Sequence, residues 1–143
     1  MTHPASPSTT ISAHEAMTIF PKLLSWAVVG VSQDREKFGN KIYRDLRDAG
    51  YTVYALHPKL TEVEGDPCYA KLADLPALPD VVNVVVPPQA ALGVVAECAA
   101  LGIKNLWLQP GSESEAVIEA AYDAGLTLVH NACIMIQKQT WDD

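Results

Sequence analysis

The segment running from Gly30 through Val31, Ser32, Gln33, Asp34, Arg35, Glu36, Lys37, Phe38 and Gly39 to Asn40 and Lys41 holds residue types that can grip a phosphate. Gly30, without a side chain, lets a ligand approach the backbone. Ser32 offers a hydroxyl and an amide. Gly39 and Asn40 stand where a helix is expected to begin, with unpaired N–H groups and a positive end. Together these suit a pyrophosphate. The pattern is not a Gly-x-Gly-x-x-Gly fingerprint, because Ser32 replaces the second glycine and the stretch to Gly39 is longer. It is not a Walker loop either, because no Gly-Lys-Ser/Thr follows. The plain alternative is a strand-to-helix turn that uses glycine for tightness.

A second stretch, Leu56-His57-Pro58-Lys59, falls where a dinucleotide-binding unit keeps the Asp or Glu that holds ribose hydroxyls. A carboxylate is missing and a cation is present, which favours a phosphorylated ribose, as in NADP or coenzyme A. Pro58 would stiffen the wall of an adenine site, and His57 suits hydrogen-bond donation to a ligand better than general-base work. A Lys59 pointing into water is the plainer reading. Val86-Pro87-Pro88 is a rigid apolar turn suited to an adenine or a pantetheine arm, or simply to a helix start. Gln109-Pro110-Gly111-Ser112 is a weaker candidate for the far end of the same crevice.

Catalysis has little support. The four histidines, His3, His14, His57 and His130, do not cluster, and no Ser/His/Asp or Cys/His set has a supporting motif. Cys68 falls in a loop and Cys98 on a helix beside small residues. Cys133 lies just beyond the last strand, as a buried thiol or as one within reach of a ligand sulfhydryl.

These candidates need elements to hold them. Short apolar runs begin near Trp26, Tyr51, Val81, Ile103 and Leu126, at intervals of 22 to 30 residues, the pitch of strand–helix–strand units. Helices are expected over 39–49, 88–100 and from Ser112 or Ser114 to about Ala124, closed by Gly50, Gly102 and Gly125. The segment 59–79 reads as loop with a short apolar turn near Tyr69 to Leu72. Continuous apolar strands imply a parallel sheet covered on both faces. The expected fold is α/β, a doubly wound five-stranded parallel sheet, Rossmann-like, in order 3-2-1-4-5. Its ligand crevice would lie between strands 1 and 4. Residues 1–10 read as a flexible tail. Ser12 with Glu15 forms a capping box that opens an extra N-terminal helix to about Pro21 or Leu24, so one domain covers 11–143.

The 143 residues leave room for one core, and 49% apolar with 19% charged residues describe a packed fold. Three widely spaced cysteines give neither a disulfide framework nor zinc spacing, which points to a reducing cytoplasm. No apolar run is long enough to span a membrane, and the amino end lacks the basic start and apolar stretch of a secretory signal. The net charge of −7 argues against nucleic acid and anionic membrane as partners. Between Arg35 and Arg47, however, five cations face only Glu36 and Asp45, a local surplus suited to a small polyanion.

At these loops the chain resembles the small stand-alone coenzyme A-binding proteins, Rossmann-fold relatives of the nucleotide-binding domain of the succinyl-CoA synthetase alpha subunit. The matching pieces are Trp26-Ala-Val-Val-Gly-Val-Ser32, Gly50 to Pro58, Asp80 to Pro88, Gly102 to Gly111 and His130-Asn-Ala-Cys-Ile-Met135, together spanning about Leu23 to Gln137. The resemblance implies binding of coenzyme A or an acyl-CoA across the strand ends, without a reaction of its own. Gly30, Val31 and Ser32 would face the phosphates, and Lys37, Gly39 and Asn40 would continue that cradle. Pro58 and Lys59 would border the adenosine, and Val86 with Pro87 would line the wall. The relatives often carry Arg-Pro-Ser in the first loop where this chain has Glu36-Lys-Phe-Gly39, so Arg35, Lys37 and Lys41 all stand as candidates for the phosphate cation. An NADP- or NAD-responsive module is the alternative. Another is a CoA-binding subunit whose catalytic chain is separate; a homo-oligomer is also compatible.

Overall fold

The computed structural model describes Thr9, Thr10 and residues 23–130. Its strands in chain order are β1 (Thr9–Thr10), β2 (Ser25–Val29), β3 (Thr52–Leu56), β4 (Glu62–Val63), β5 (Asp66–Tyr69), β6 (Val81–Val84), β7 (Asn105–Leu108) and β8 (Thr127–Val129). The helices are α1 (Phe38–Asp48), α2 (Pro88–Leu101) and α3 (Glu115–Asp123), with a 3-10 turn at Leu72–Asp74.

Local chemistry explains these elements. All four residues of β6 are buried, as a central parallel strand requires. In α1, Ile42, Tyr43 and Leu46 supply the buried stripe. Pro88 opens α2, where a missing N–H costs nothing, and Gly102 closes it at φ +79°. Ser114 caps α3 by accepting the Val117 amide at 3.2 Å.

The described strands form one sheet in the order β1-β8-β7-β6-β2-β3-β5-β4. Seven pair in parallel, and β4 joins β5 antiparallel at the rim. One core on the α1 face gathers Trp26, Val28, Ile42, Leu46 and Trp107. The other packs α2 and α3 on Ala27, Val82, Val84, Leu106 and Leu128. Right-handed crossovers place helices on opposite faces when the chain advances in opposite directions along the sheet. Here β2 to β3 runs one way, and β6 through β7 to β8 runs the other.

The α/β, mostly parallel expectation therefore stands, but the strand count and order need correction. The five anticipated strands are β2, β3, β6, β7 and β8, and they lie in the order 2-1-3-4-5, not 3-2-1-4-5. The reason is the hairpin hidden in 59–79. Its second arm, β5, pairs in parallel with β3 through Ala55 with Cys68 and Leu56 with Tyr69, taking the place a third strand would need. The strand at Val81 is thereby sent to the other side of β2. The crevice consequently lies between the first and third anticipated strands, β2 and β6, rather than between the first and fourth. Cys68, expected in a loop, is a buried residue of β5. Thr9 and Thr10, expected in the tail, pair with Thr127 and Leu128. The anticipated N-terminal helix and Cys133 fall mostly or wholly outside the described residues, and Leu23 and Leu24 are not helical.

Candidate functional site

The direction of travel reverses between β2 and β6, and ligands of open parallel sheets bind beyond the strand ends at such a point. Two cavities open there. The first is about 570 Å³ and runs along the loop after β2, with Val31, Ser32, Lys37 and Pro87 in its wall. The second is about 460 Å³ and runs beneath α2, bordered by Leu56, Lys71, Gly93, Val94 and Glu97. They share Gly30, His57, Pro58 and Val86. Eight of the eleven residues singled out from the sequence thus stand on this crevice: Gly30, Val31, Ser32, Lys37, His57, Pro58, Val86 and Pro87.

Gly30 is required by its backbone. Its φ is +108°, and a Cβ there would come within 2.9 Å of Val86 Cγ1. The Gly30 and Val31 amides both donate to the Leu56 carbonyl, at 3.1 and 3.2 Å. They pin the first loop to the end of β3, which commits both amides within the fold. Ser32 Oγ accepts the Asp34 amide at 3.0 Å, and Asp34 Oδ1 accepts the Glu36 amide at 2.9 Å. Two side-chain turns therefore wind the loop toward Lys37, the residue preceding α1. That helix start has no side-chain cap and no acidic residue in its first turn, leaving its positive end uncompensated.

The three remaining candidates stand apart from the cavity walls. Gly39 packs α1 on the loop: a Cβ there would collide with the Gly30 carbonyl. Asn40 is fully buried and its side chain is committed internally. Its Nδ2 donates to the Ser32 carbonyl at 2.8 Å and to Glu64 at 3.1 Å, and its Oδ1 accepts from Arg44 at 2.6 Å. Lys59 is exposed, and its amide donates to His57 Nδ1 at 3.0 Å. The Leu60 amide donates to the same nitrogen at 3.2 Å. With Nδ1 accepting, Nε2 carries the imidazole proton and is the nitrogen able to donate to a ligand.

The structure also sorts the three basic candidates. Arg35 pairs with Glu64 at 3.4 Å. Lys41 stands on a different surface with Arg44, Asp45 and Asp48. Lys37 is the one of the three on the crevice wall. Lys71, Gly93 and Glu97 were missed from the sequence. Lys71 reaches the second cavity because β5 delivers the chain beside Leu56, and Pro67 disguised β5. Glu97 secures the 3-10 turn by accepting the Leu72 amide at 3.0 Å. Gln109 and Ser112 are buried, and the Gln109 amide and Ser112 Oγ both donate to the Val84 carbonyl, so the fourth loop braces β6.

The hairpin is bound firmly to α1. Tyr43 Oη donates to Asp66 at 2.7 Å, and Arg47 donates to the same carboxylate oxygen at 2.9 Å. Tyr43's hydrogen bond, then Arg47's, hold the Asp66 carboxyl below its usual range. Burial, followed by the bond to Asp66, raises the Tyr43 phenol. Burial pushes the Cys98 thiol up to about 12 and raises that of Cys68, so neither is an activated nucleophile. Among the described residues no group of three or more His, Cys, Asp or Glu could hold a metal ion, and no helix is long and apolar enough to cross a membrane.

Comparison with known proteins agrees with this geometry. Residues 24–139 match the family model described as CoA binding domain. The ADP-forming acetate–CoA ligase I of Archaeoglobus fulgidus is 31% identical over 125 residues, covering 80% of this chain and 18% of the ligase. The alpha subunit of the ADP-forming acetate–CoA ligase II of Pyrococcus furiosus is 25% identical, covering 78% of this chain and 27% of the subunit. The chain therefore spans about a quarter or less of these curated relatives. Among solved structures, a conserved hypothetical protein from Pyrococcus furiosus superposes with a TM-score of 0.76 at 38% identity, covering 80% of this chain and 98% of that one.

Proposed function

The chain belongs to the CoA-binding domain family, and we propose that it binds coenzyme A or an acyl-CoA across the ends of β2, β3 and β6. The observation that carries this reading is the paired cavity. A chamber along the first loop, with Ser32, Asp34 and Lys37 in its wall, meets a chamber beneath α2, with Lys71 and Glu97 in its wall, at one wall made of Gly30, His57, Pro58 and Val86. In this reading the diphosphate lies along the first loop, with Lys37 as its cation and His57 Nε2 as a donor. The adenosine lies against Pro58 and Val86, and Pro87 borders the pantetheine arm. Gly39 and Asn40 act by shaping the loop. The protein works in the cytoplasm, where Cys68 and Cys98 remain thiols. Native mass spectrometry of freshly purified protein is expected to show retained CoA or an acyl-CoA. Calorimetry is expected to rank CoA above NADP and NAD; preference for NADP would replace this reading with the dinucleotide one.

A second reading makes the chain the CoA-binding part of a ligase whose catalytic chain is separate. It is favoured by the likeness to a chain named as an alpha subunit and by the small share of the ligases that is covered. Purification from native extract is expected to recover a stoichiometric second chain if this is so; recovery of the chain alone supports a binding protein acting by itself.

A further inference from the structure

We propose that Glu64, at the tip of the β4–β5 hairpin, is a positioning residue for the phosphate-facing loop, an inference that rests on the reading of that loop given above. Glu64 lines neither cavity. Its carboxylate oxygen Oε2 is nonetheless shared by Asn40 Nδ2 at 3.1 Å and Arg35 Nε at 3.4 Å. The same Asn40 nitrogen holds the Ser32 carbonyl at 2.8 Å. Arg44 closes the ring, donating from Nε to Asn40 Oδ1 and from Nη2 to the Arg35 carbonyl at 2.9 Å. A further strut joins Gln33 Nε2 to the Glu62 carbonyl at 3.0 Å. One carboxylate therefore stands behind both ends of the segment from Ser32 to Arg35 that faces the ligand.

The backbone carries independent support. Glu64 has φ +51° and precedes Gly65 at φ +82°, the left-handed pair of a two-residue hairpin turn. Among the described residues it is the one non-glycine with positive φ. Glycine or asparagine would occupy this position with less strain. A glutamate kept there is explained by what its side chain does. That side chain is 17% exposed, turned onto the loop rather than into water.

The test uses the full chain with Glu64→Gly, Glu64→Asn and Glu64→Gln. Glycine and asparagine suit the left-handed backbone but cannot reach Asn40 and Arg35. Glutamine keeps a carbonyl for Asn40. Thermal melting should leave the glycine and asparagine variants as stable as the parent or more so. Ligand-free amide exchange over residues 32–37 should speed up in both, and CoA affinity should fall about tenfold, while Glu64→Gln stays within about threefold. Unchanged exchange in both the glycine and asparagine variants overturns the proposal whether or not CoA binds. So does a Glu64→Gln variant as weak as those two. A parent chain that binds no CoA refutes the ligand reading instead, and the exchange rates still decide the role of Glu64.

Discussion

The two chambers of the crevice are framed differently although they share a wall. The one along the first loop is walled by side-chain turns and a helix start, and it carries Lys37 beside Asp34. The one beneath α2 is walled by Leu56, Val94 and the bare face of Gly93, and it carries Lys71 beside Glu97, so the two differ in framework rather than in charge. The first is held in shape by hydrogen bonds from the hairpin, the second by side-chain packing on the sheet.

The comparison can be broken most severely at the shared wall. Gly30→Ala places a methyl against Val86 at a backbone angle that alanine resists, and it costs roughly 1–3 kcal/mol of stability. CoA affinity should drop about a hundredfold or more by calorimetry well below the melting temperature; retained affinity would move the site elsewhere. Next, dephospho-CoA should bind more weakly than CoA by roughly 1.5–3 kcal/mol, the worth of a charge-assisted bond to the ribose phosphate. Equal affinities would remove the phosphate from the account. Lys37→Ala should then cost about tenfold and flatten the salt dependence of binding, because it withdraws a cation from the chamber along the first loop. A smaller effect sharpens the contrast. Lys71→Ala should weaken CoA by about threefold, the modest loss expected of an exposed and screened cation, while Lys59→Ala changes it by less. The reverse order would restore the strand-end lysine to the role suggested by its place in the sequence.

The smallest expected effect concerns the hairpin. Asp66 has a folded pKa below its ordinary value of 3.8, so its stabilising contribution is complete above that value and is lost as pH falls through the lowered one. Acid melting curves should therefore show a shallow loss of stability below about pH 4 that Asp66→Asn abolishes. A variant with the parent's slope would assign that loss to other carboxylates.

Much of this was legible in the chain. Helix ends announced themselves at Pro88 and Gly102, because proline and glycine act there through local backbone geometry, and the start of α3 was narrowed to Ser112 or Ser114. The run Val81 to Val84 could only be a buried parallel strand. Gly30 and Val86, noted separately, proved to face each other. What escaped was non-local. Asp66-Pro67-Cys68-Tyr69 has poor strand composition, and only its pairing with Ala55 and Leu56 makes it a strand. Missing it put the third anticipated strand on the wrong side of the sheet, displaced the crevice by one strand and concealed Lys71. Asn40 was read as a ligand group because it follows Gly39 at the helix start; the side chain's direction depends on Glu64, which no local pattern reveals.

Among the described residues, both rims of the sheet end in strands of two residues, β1 beside β8 and β4 beside β5. So short a border offers little template for another chain's backbone, and at the hairpin rim Pro67 and the Glu62 and Asp66 side chains make it less inviting still. Growth edge to edge into a continuous ribbon therefore has little purchase on these described rims.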